Sequence, residues 1–555
     1  MKILPHQANP EHLKKQAKEL LRLYRQGDAA ATGRFARSLP AAAHRTHDEV
    51  MALGLRLHDA QSCLAREYGF SSWADLAAYV ETNAVAEHAQ SLRVRRWLGL
   101  VYGGDVTGSY TAARPRVAAR LLAEYPALAA ADPYAACAAG NLDVVERAIA
   151  ADPGWVARAG GPLNLPPLVA VTHSCLLQIP EFAARLHACA RRLLLAGADP
   201  NQRIGNRLPP ASLAQPDDTE PLSALYGAAG ANHDPVLTAM LLEAGADPND
   251  GESVYHSLEN PEVTRLLLER GAAVDGTNAV WRALDMPEPH ALEMLLTHGA
   301  DPNAPPAGGP TKVWGTPLLR AIALRRSARP IAALLAAGAD PRAQTAAGVS
   351  AYRLAMQAGL PEAAALLRAA GAEEALDEED EFIAACARAD APEARRIQAR
   401  RPDLPGSLPE DRLRRLPDAA AWGSRDAVKL MVELGWPIGA RGGDWDASAL
   451  NHAVFRGDAD MTAFLLDHGA SWRERHGHGD NVLGTLSWAS ENEPALADYR
   501  DWGACARALA MHGLPKVERD PSNSERVLID GQPALFSEEV TEVLLQSQET
   551  GAAPR

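Results

Sequence analysis

The chain has few aromatics and few cysteines: 5% of its 555 residues are Phe, Trp or Tyr, and six are Cys. Scarce rings alongside abundant alanine disfavour a β-sandwich and favour closely packed helices. The thiols Cys63, Cys137, Cys175, Cys189, Cys386 and Cys505 form no CxxC pair. Most sit in alanine-rich helical patterns, as small apolar residues of a reduced, cytoplasmic protein. Positive charge is short too. The net charge of -15 argues against nucleic acid as partner, because phosphate binding needs basic clusters. The deficit is uneven, since residues 1–100 carry 14 Lys/Arg against 10 Asp/Glu and the remainder carries -19. No run approaches the roughly 18 apolar residues of a membrane span, and the start, Met1-Lys2-Ile3-Leu4-Pro5-His6, has no apolar signal region. No membrane partner is therefore expected. Absent as well are GxxxxGK[ST], G-x-S-x-G and H-E-x-x-H, so no catalytic residue and no cofactor is assigned.

What the chain does have is a recurring stop. Nine leucine-rich segments run into glycine, at Gly197, Gly245, Gly271, Gly299, Gly338, Gly371, Gly435, Gly469 and Gly513. In five of them Gly-Ala-Asp or Gly-Ala-Glu follows, as in Gly197-Ala198-Asp199-Pro200-Asn201 and Gly371-Ala372-Glu373. A glycine there takes the left-handed conformation that ends a helix, and Asp-Pro-Asn turns the chain outward. The spacings scatter around 33 residues, with one of 64 read as two units. Each unit shows two short helices. Thr316 is expected to cap the first, with Pro317 at its first position where a missing N–H costs nothing. The second carries the leucines, as in Pro330-Ile331-Ala332-Ala333-Leu334-Leu335.

This pattern resembles the ankyrin repeat, with its 33-residue period and Thr-Pro-Leu-His signature. The match runs over about residues 110–515, through Pro221-Leu222, Gly315-Thr316-Pro317-Leu318, Ser350-Ala351-Tyr352-Arg353 and Ser448-Ala449-Leu450-Asn451. The resemblance implies an all-α solenoid of about eleven helix pairs joined by hairpin loops. The signature histidine is absent, its slot read as Ser223, Leu319, Arg353 and Asn451. Its hydrogen bond between neighbouring repeats is therefore expected to be missing, with apolar packing taking over.

Five segments are expected: a helical N-terminal cap at 1–98, a first array at 99–374, an acidic linker at 375–381, a second array at 382–515, and a C-terminal cap and tail at 516–555. In the first, Asn9-Pro10 starts a helix with Leu13, Ala17, Leu20, Leu21 and Tyr24 on one face. Leu57, Ala60, Leu64 and Tyr68 form a second stripe, and Ser71 or Ser72 caps a third helix. The segment resembles the helical leader preceding ankyrin repeats in a number of bacterial proteins. The Ala-, Arg- and Pro-rich composition likewise resembles that of a high-GC bacterium. A last helix is expected from Ser537 to about Leu545. Insertions are read at 202–219, 304–313 and 473–482.

Candidate chemistry is sparse. His187 and Cys189 stand two apart on a helix, about 200° around its axis, so they cannot share an ion. His173 with Cys175 offers no better set, and no metal ligand is assigned. The loop His476-Gly477-His478-Gly479-Asp480, near His468, is the better cation trap of the two, but an exposed polar loop is the expected reading. Trp314, Trp445 and Trp472 fall at or beside hairpin tips, as partner-binding candidates or as staples between hairpins. Trp281, Trp422 and Trp488 are expected in the core. The resemblance implies a monomeric, non-enzymatic scaffold that binds an unknown protein or peptide on the concave face of hairpins and first helices. The alternatives are a partner-dependent regulatory or neutralising subunit of an enzyme or toxin, and a metal or ligand sensor. The stop loses its sequence regularity from Gly435 to Gly513, and local function is expected there.

Overall fold

A computed structural model describes residues 2, 4–5, 8–83, 90–130, 132–307, 315–492, 500–521 and 526–549. The chain divides into two compact units. The first comprises Met1–Pro317 with Ala332–Ala339, the second Leu318–Ile331 with Asp340–Arg555. The expected boundary at 375–381 falls inside the second unit.

In the leader, Asn9 caps the helix Pro10–Arg25, its Oδ1 accepting the Glu11 amide at 2.8 Å. The expected face, Leu13, Ala17, Leu20, Leu21 and Tyr24, is buried. Two helices not read from the sequence follow, Ala29–Ser38 and His47–Ala52. The third expected helix, Trp73–Asn83, meets the first repeat segment, Pro115–Glu124. There the Tyr79 hydroxyl donates to Glu124 at 2.6 Å, Arg114 pairs with Asp75 at 3.0 Å, and the Arg120 guanidinium lies 4.3 Å from the Phe70 ring centre.

Eleven helix pairs follow among the described residues, from Pro133–Ala139 with Leu142–Ala151 to Val482–Asn492 with Trp502–Met511. Such short pairs bury an apolar face only by stacking on neighbours. All nine stop glycines are left-handed, with φ from 76° at Gly371 to 98° at Gly338. Gly435, Gly469 and Gly513, read as eroded, have φ of 87°, 95° and 82°, so the stop keeps its geometry throughout. The reason is the backbone: at eight of the nine, Gly197 to Gly469, the residue after glycine donates to a carbonyl five back. Ala198 donates to Leu193, Ala246 to Leu241 and Ala470 to Leu465, each at 3.0 Å.

The Asp-Pro-Asn tail has a double use. Asp199, Asp247, Asp301 and Asp340 each accept the amide two residues on at 2.9 Å. The asparagine then reaches the next repeat: Asn201 Oδ1 accepts the Asp247 amide at 2.8 Å, and Asn303 Nδ2 donates to the Gly338 carbonyl at 3.0 Å.

Ser223, Ser350 and Ser448 cap first helices, accepting the amides of Tyr226, Arg353 and Asn451 at 2.8, 3.1 and 3.3 Å. This corrects one register. Ser223 occupies the threonine slot, and Tyr226 rather than Ser223 stands where the histidine would be. It also corrects the expected loss of polar ties. Asn451 Nδ2 donates to Ser448 Oγ at 3.1 Å and to the Glu474 carbonyl at 3.3 Å, while Oδ1 accepts from Thr485 at 2.7 Å. A carboxylate of the following hairpin completes the link, Ser223 donating to Asp250 at 2.5 Å and Ser350 to Glu374 at 2.7 Å.

The acidic stretch, expected as an exposed linker, is the first turn of the helix Glu378–Ala387, capped by Asp377. Asp380 is fully buried, accepts from Gln357 Nε2 at 2.6 Å and lies 3.2 Å from Arg353. Burial pushes its carboxyl up from the ordinary range. Beyond the array, Val517–Arg519, Arg526–Ile529 and Gln532–Leu535 form an antiparallel sheet, and the helix Glu538–Glu549 buries Val540 and Leu544. No helix among the described residues is long and apolar enough to cross a membrane.

Candidate functional site

In the second unit, two hairpin tips and two first helices bring aromatic side chains together. Gly442 and Gly443 shape the first tip: Gly443 has φ 72°, and a Cβ there would stand 2.6 Å from the His452 ring. His452 Nε2 pairs with the Gly442 carbonyl at 3.1 Å. The tips join directly, the Gly477 amide donating to the Trp445 carbonyl at 2.9 Å. Trp445 is half-buried. Its ring centre lies 4.8 Å from His452, 5.0 Å from His476 and 5.6 Å from Phe455. Phe455 in turn stacks on Trp488 at 5.6 Å with 15° between the planes.

Trp488, expected in the core, is 52% exposed. It occupies the same slot as Phe455, 33 residues later, within the helix Val482–Asn492. Its neighbour Phe455 stacks against one face. The period was visible in the sequence, but helical pattern alone does not say which side of a short helix its neighbours leave open.

Burial dominates the titration of this cluster. It pulls the His452 and His476 imidazoles below their ordinary 6.5, so both rings are neutral near pH 7. The segment 473–482, read as an insertion, is an ordinary hairpin. Arg475 pairs with Asn481 as Gln344 does with Ser350, and His476 N donates to Asp480 O at 3.0 Å as Thr345 does to Val349 at 2.9 Å. His476 is buried against Trp445, and its Nδ1 accepts the His478 amide at 3.2 Å. His468 turns to the Phe464 carbonyl at 2.7 Å.

Trp472 is a staple: its Nε1 donates to the Gly513 carbonyl at 3.1 Å, and the Arg473 guanidinium covers the ring at 4.3 Å. Trp314 lies outside the described residues. Trp281 is buried, and Trp422 is half-buried beneath the Arg325 guanidinium at 5.1 Å. In the first unit, His187 pairs with Asp234 at 2.8 Å while Cys189 is fully buried, and the Cys175 thiol faces the Leu100 carbonyl at 3.4 Å. All six cysteines are buried and unpaired. Burial pushes Cys175, Cys189, Cys386 and Cys505 up to about 12, which keeps these thiols protonated and unreactive. Among the described residues, no group of three or more His, Cys, Asp and Glu is placed to hold an ion.

Helix pairs ended by a left-handed glycine and linked through hairpins are the ankyrin-type repeat architecture. No family model matches the chain, and no curated protein does. Among solved structures it is similar to an ankyrin repeat domain from Acinetobacter baumannii AYE, at 23% identity over 37% of this chain and 98% of that one, TM-score 0.30. It is similar to the ankyrin repeat domain of Bcl-3, described as a unique member of the IkappaB family, at 21% identity over 49% and 99%, TM-score 0.20. The human ASB11 ankyrin repeat domain matches at 20% identity over 42% and 98%, TM-score 0.21.

Proposed function

We propose that this chain is a non-enzymatic scaffold that binds a protein or peptide on the face shared by its hairpins and first helices. The observation that carries the reading is Trp488, 52% exposed and stacked on Phe455. An indole left half in water forgoes part of the about 1.5–3 kcal/mol that full burial of a large apolar side chain is worth, and aromatics are the usual anchors of protein interfaces. Beneath it, the Trp445 carbonyl and the Gly477 amide lock the two tips, so little ordering entropy opposes association. Trp445 acts as support for Trp488, and Trp472 acts within the stack. A regulatory or neutralising subunit would use the same face, since its activity is also binding.

The test is quantitative recovery of interacting proteins from the source cells with wild-type, Trp488→Ala and Leu195→Ala chains. Leu195 is 78% exposed on the helix Pro180–Leu195 of the first unit. A specific partner lost with Trp488→Ala and kept with Leu195→Ala is the expected result. Equal recovery by both variants overturns the reading.

A further inference from the structure

The first unit holds a cavity of about 550 Å³ whose walls come from three distant stretches of chain. One wall is the turn 103–112 with Asp105 and Tyr110. The second is the hairpin Arg203–Asn206 with Asp217–Ser223, which contributes Glu220 and continues to Leu208. The third is a pair of adjacent first helices, which supply Tyr226 and His256, with Glu252 just before the second helix. Its volume falls within the roughly 300–1,000 Å³ of pockets that accept small ligands or single long side chains.

The walls are rigidly built. Arg207 is buried and donates to the carbonyls of Val106, Leu163 and Asn164 at 3.1, 2.7 and 3.1 Å, while its amide reaches the Asp105 carbonyl at 2.8 Å. This clamps the inserted hairpin to the 103–112 turn. Gly104 permits the closure, because a Cβ there would lie 1.9 Å from the Ser109 carbonyl oxygen. Behind Tyr226 the helix widens into a π turn over Gly227–Ala231, with Gly227 packed on the His173 ring.

The lining is rich in carboxylates, with His256 as its basic group. The Arg207 side chain bonds carbonyls rather than these carboxylates. Asp105, Glu220 and Glu252 have no Lys or Arg within ion-pair distance among the described residues. Glu252 meets His256 at 3.2 Å, and Glu220 accepts from Asn206 at 3.1 Å. Burial pushes the pKa of the Tyr226 hydroxyl up, the charges of Asp105 and Glu252 add to the rise, and Arg282 opposes it. At the mouth, Tyr110 is 81% exposed and Leu208 43% exposed. Two tyrosine faces, three carboxylates and an apolar rim suit a planar cation on an aliphatic stem. Guanidinium stacks on rings and bonds carboxylates in pairs, whereas ammonium is a compact, strongly hydrated charge.

We propose that this cavity receives an arginine side chain from an extended segment of a protein partner, with Tyr110 and Leu208 contacting the residues beside it. The site stands apart from the aromatic cluster of the second unit and does not depend on it.

The experiment is selection from a displayed random-peptide library against the full chain, followed by affinity measurement on the selected peptides. Enriched sequences are expected to share an arginine. Exchange of that arginine for neutral, isosteric citrulline, or the chain variants Asp105→Asn and Glu252→Gln, should each weaken binding about tenfold or more. Leu208→Ala, at the rim and outside the clamp, should weaken it less. Trp488→Ala should leave it unchanged, which separates this proposal from the previous one. Glu378→Gln with Glu381→Gln, in the acidic turn of the second unit, should also leave it unchanged. The proposal is overturned if no arginine is enriched, if lysine serves equally, or if the acidic-turn variant weakens binding as much as the cavity variants. Variants that melt below wild type are replaced in the comparison by the citrulline peptide, which needs no change in the chain.

Discussion

The two units use one repeat chemistry and expose opposite surfaces. In the first, Ser223 is tied to Asp250, and the face in front of it carries Asp105, Glu220 and Glu252 around a cavity. In the second, Ser350 is tied to Glu374 and Asn451 to Ser448 and Thr485, and the equivalent face carries Trp445, Phe455 and Trp488. The difference teaches that stacking and recognition are written on different residues. Backbone stops, serine caps and acidic ties repeat wherever helices must pack. Side chains on the open turn of each first helix are free of that duty and differ from unit to unit.

The comparison can be broken most forcefully in the cores. Leu193→Ala in the first unit and Leu465→Ala in the second each remove a fully buried side chain, and each should cost about 2–5 kcal/mol. Differential scanning calorimetry tests whether the units melt independently. Independent units would show one transition lowered per variant; a single shared transition lowered by both would merge them into one cooperative body.

Next in size is Asn451→Ala. It strips the Ser448, Glu474 and Thr485 partners at once, and a loss of about 1–3 kcal/mol is expected from the unpaired buried groups. Denaturant titration of that variant beside Ser223→Ala, whose cap should be worth about 1 kcal/mol, checks whether polar ties matter more in the second unit. A loss below that of Ser223→Ala would place stacking in the apolar contacts alone.

Gly197→Ala and Gly469→Ala sharpen a finer point. With φ of 91° and 95°, each should cost about 1–2 kcal/mol for a left-handed L-residue. The two losses should be equal in chemical denaturation, although the sequence around Gly469 looks less regular. A much smaller loss at Gly469 would restore the expectation of an eroded stop.

Titration should give the smallest effect. His452 and His476 have folded pKa values below their ordinary 6.5 because burial penalises the cation. The unfolded chain therefore binds more protons as pH falls below 6.5, and stability that is full above that value is lost through the lower, folded pKa. His173 places the same device in the first unit, fully buried with an Nε2 that has no hydrogen-bond partner. Melting curves from pH 7.5 to 5 should fall, and His476→Gln should flatten the slope for the second unit alone.

Much of the scaffold was legible in the chain. The stops, the Asn9 cap, the five-residue apolar face of the first helix and the approximate place of the last helix follow from local rules that act within a few residues. The missed elements depend on distant partners. The strands Arg203–Asn206 and Asp217–Ser223 are held by Arg207 against carbonyls 43 to 101 residues away. Asp380 reads as part of a solvated acidic run, yet Gln357 and Arg353 bury it. Tryptophan at hairpin tips was the available signal for a site. It led to Trp445 but ranked Trp488 as core, because hydrophobicity indicates burial without naming the neighbour that provides it.

By itself the sequence determined the repeat: the left-handed glycine, the aspartate that turns the chain, and the serine that starts the next helix all act locally. Only the tertiary structure decided which surfaces stay open. A carboxylate or an indole has no fixed fate in the chain; it is buried, paired or left exposed by groups that arrive from other repeats. Asp105, Glu220 and Glu252 become one cavity because Arg207 clamps a hairpin beside them, and Trp488 remains half exposed where it stacks on Phe455.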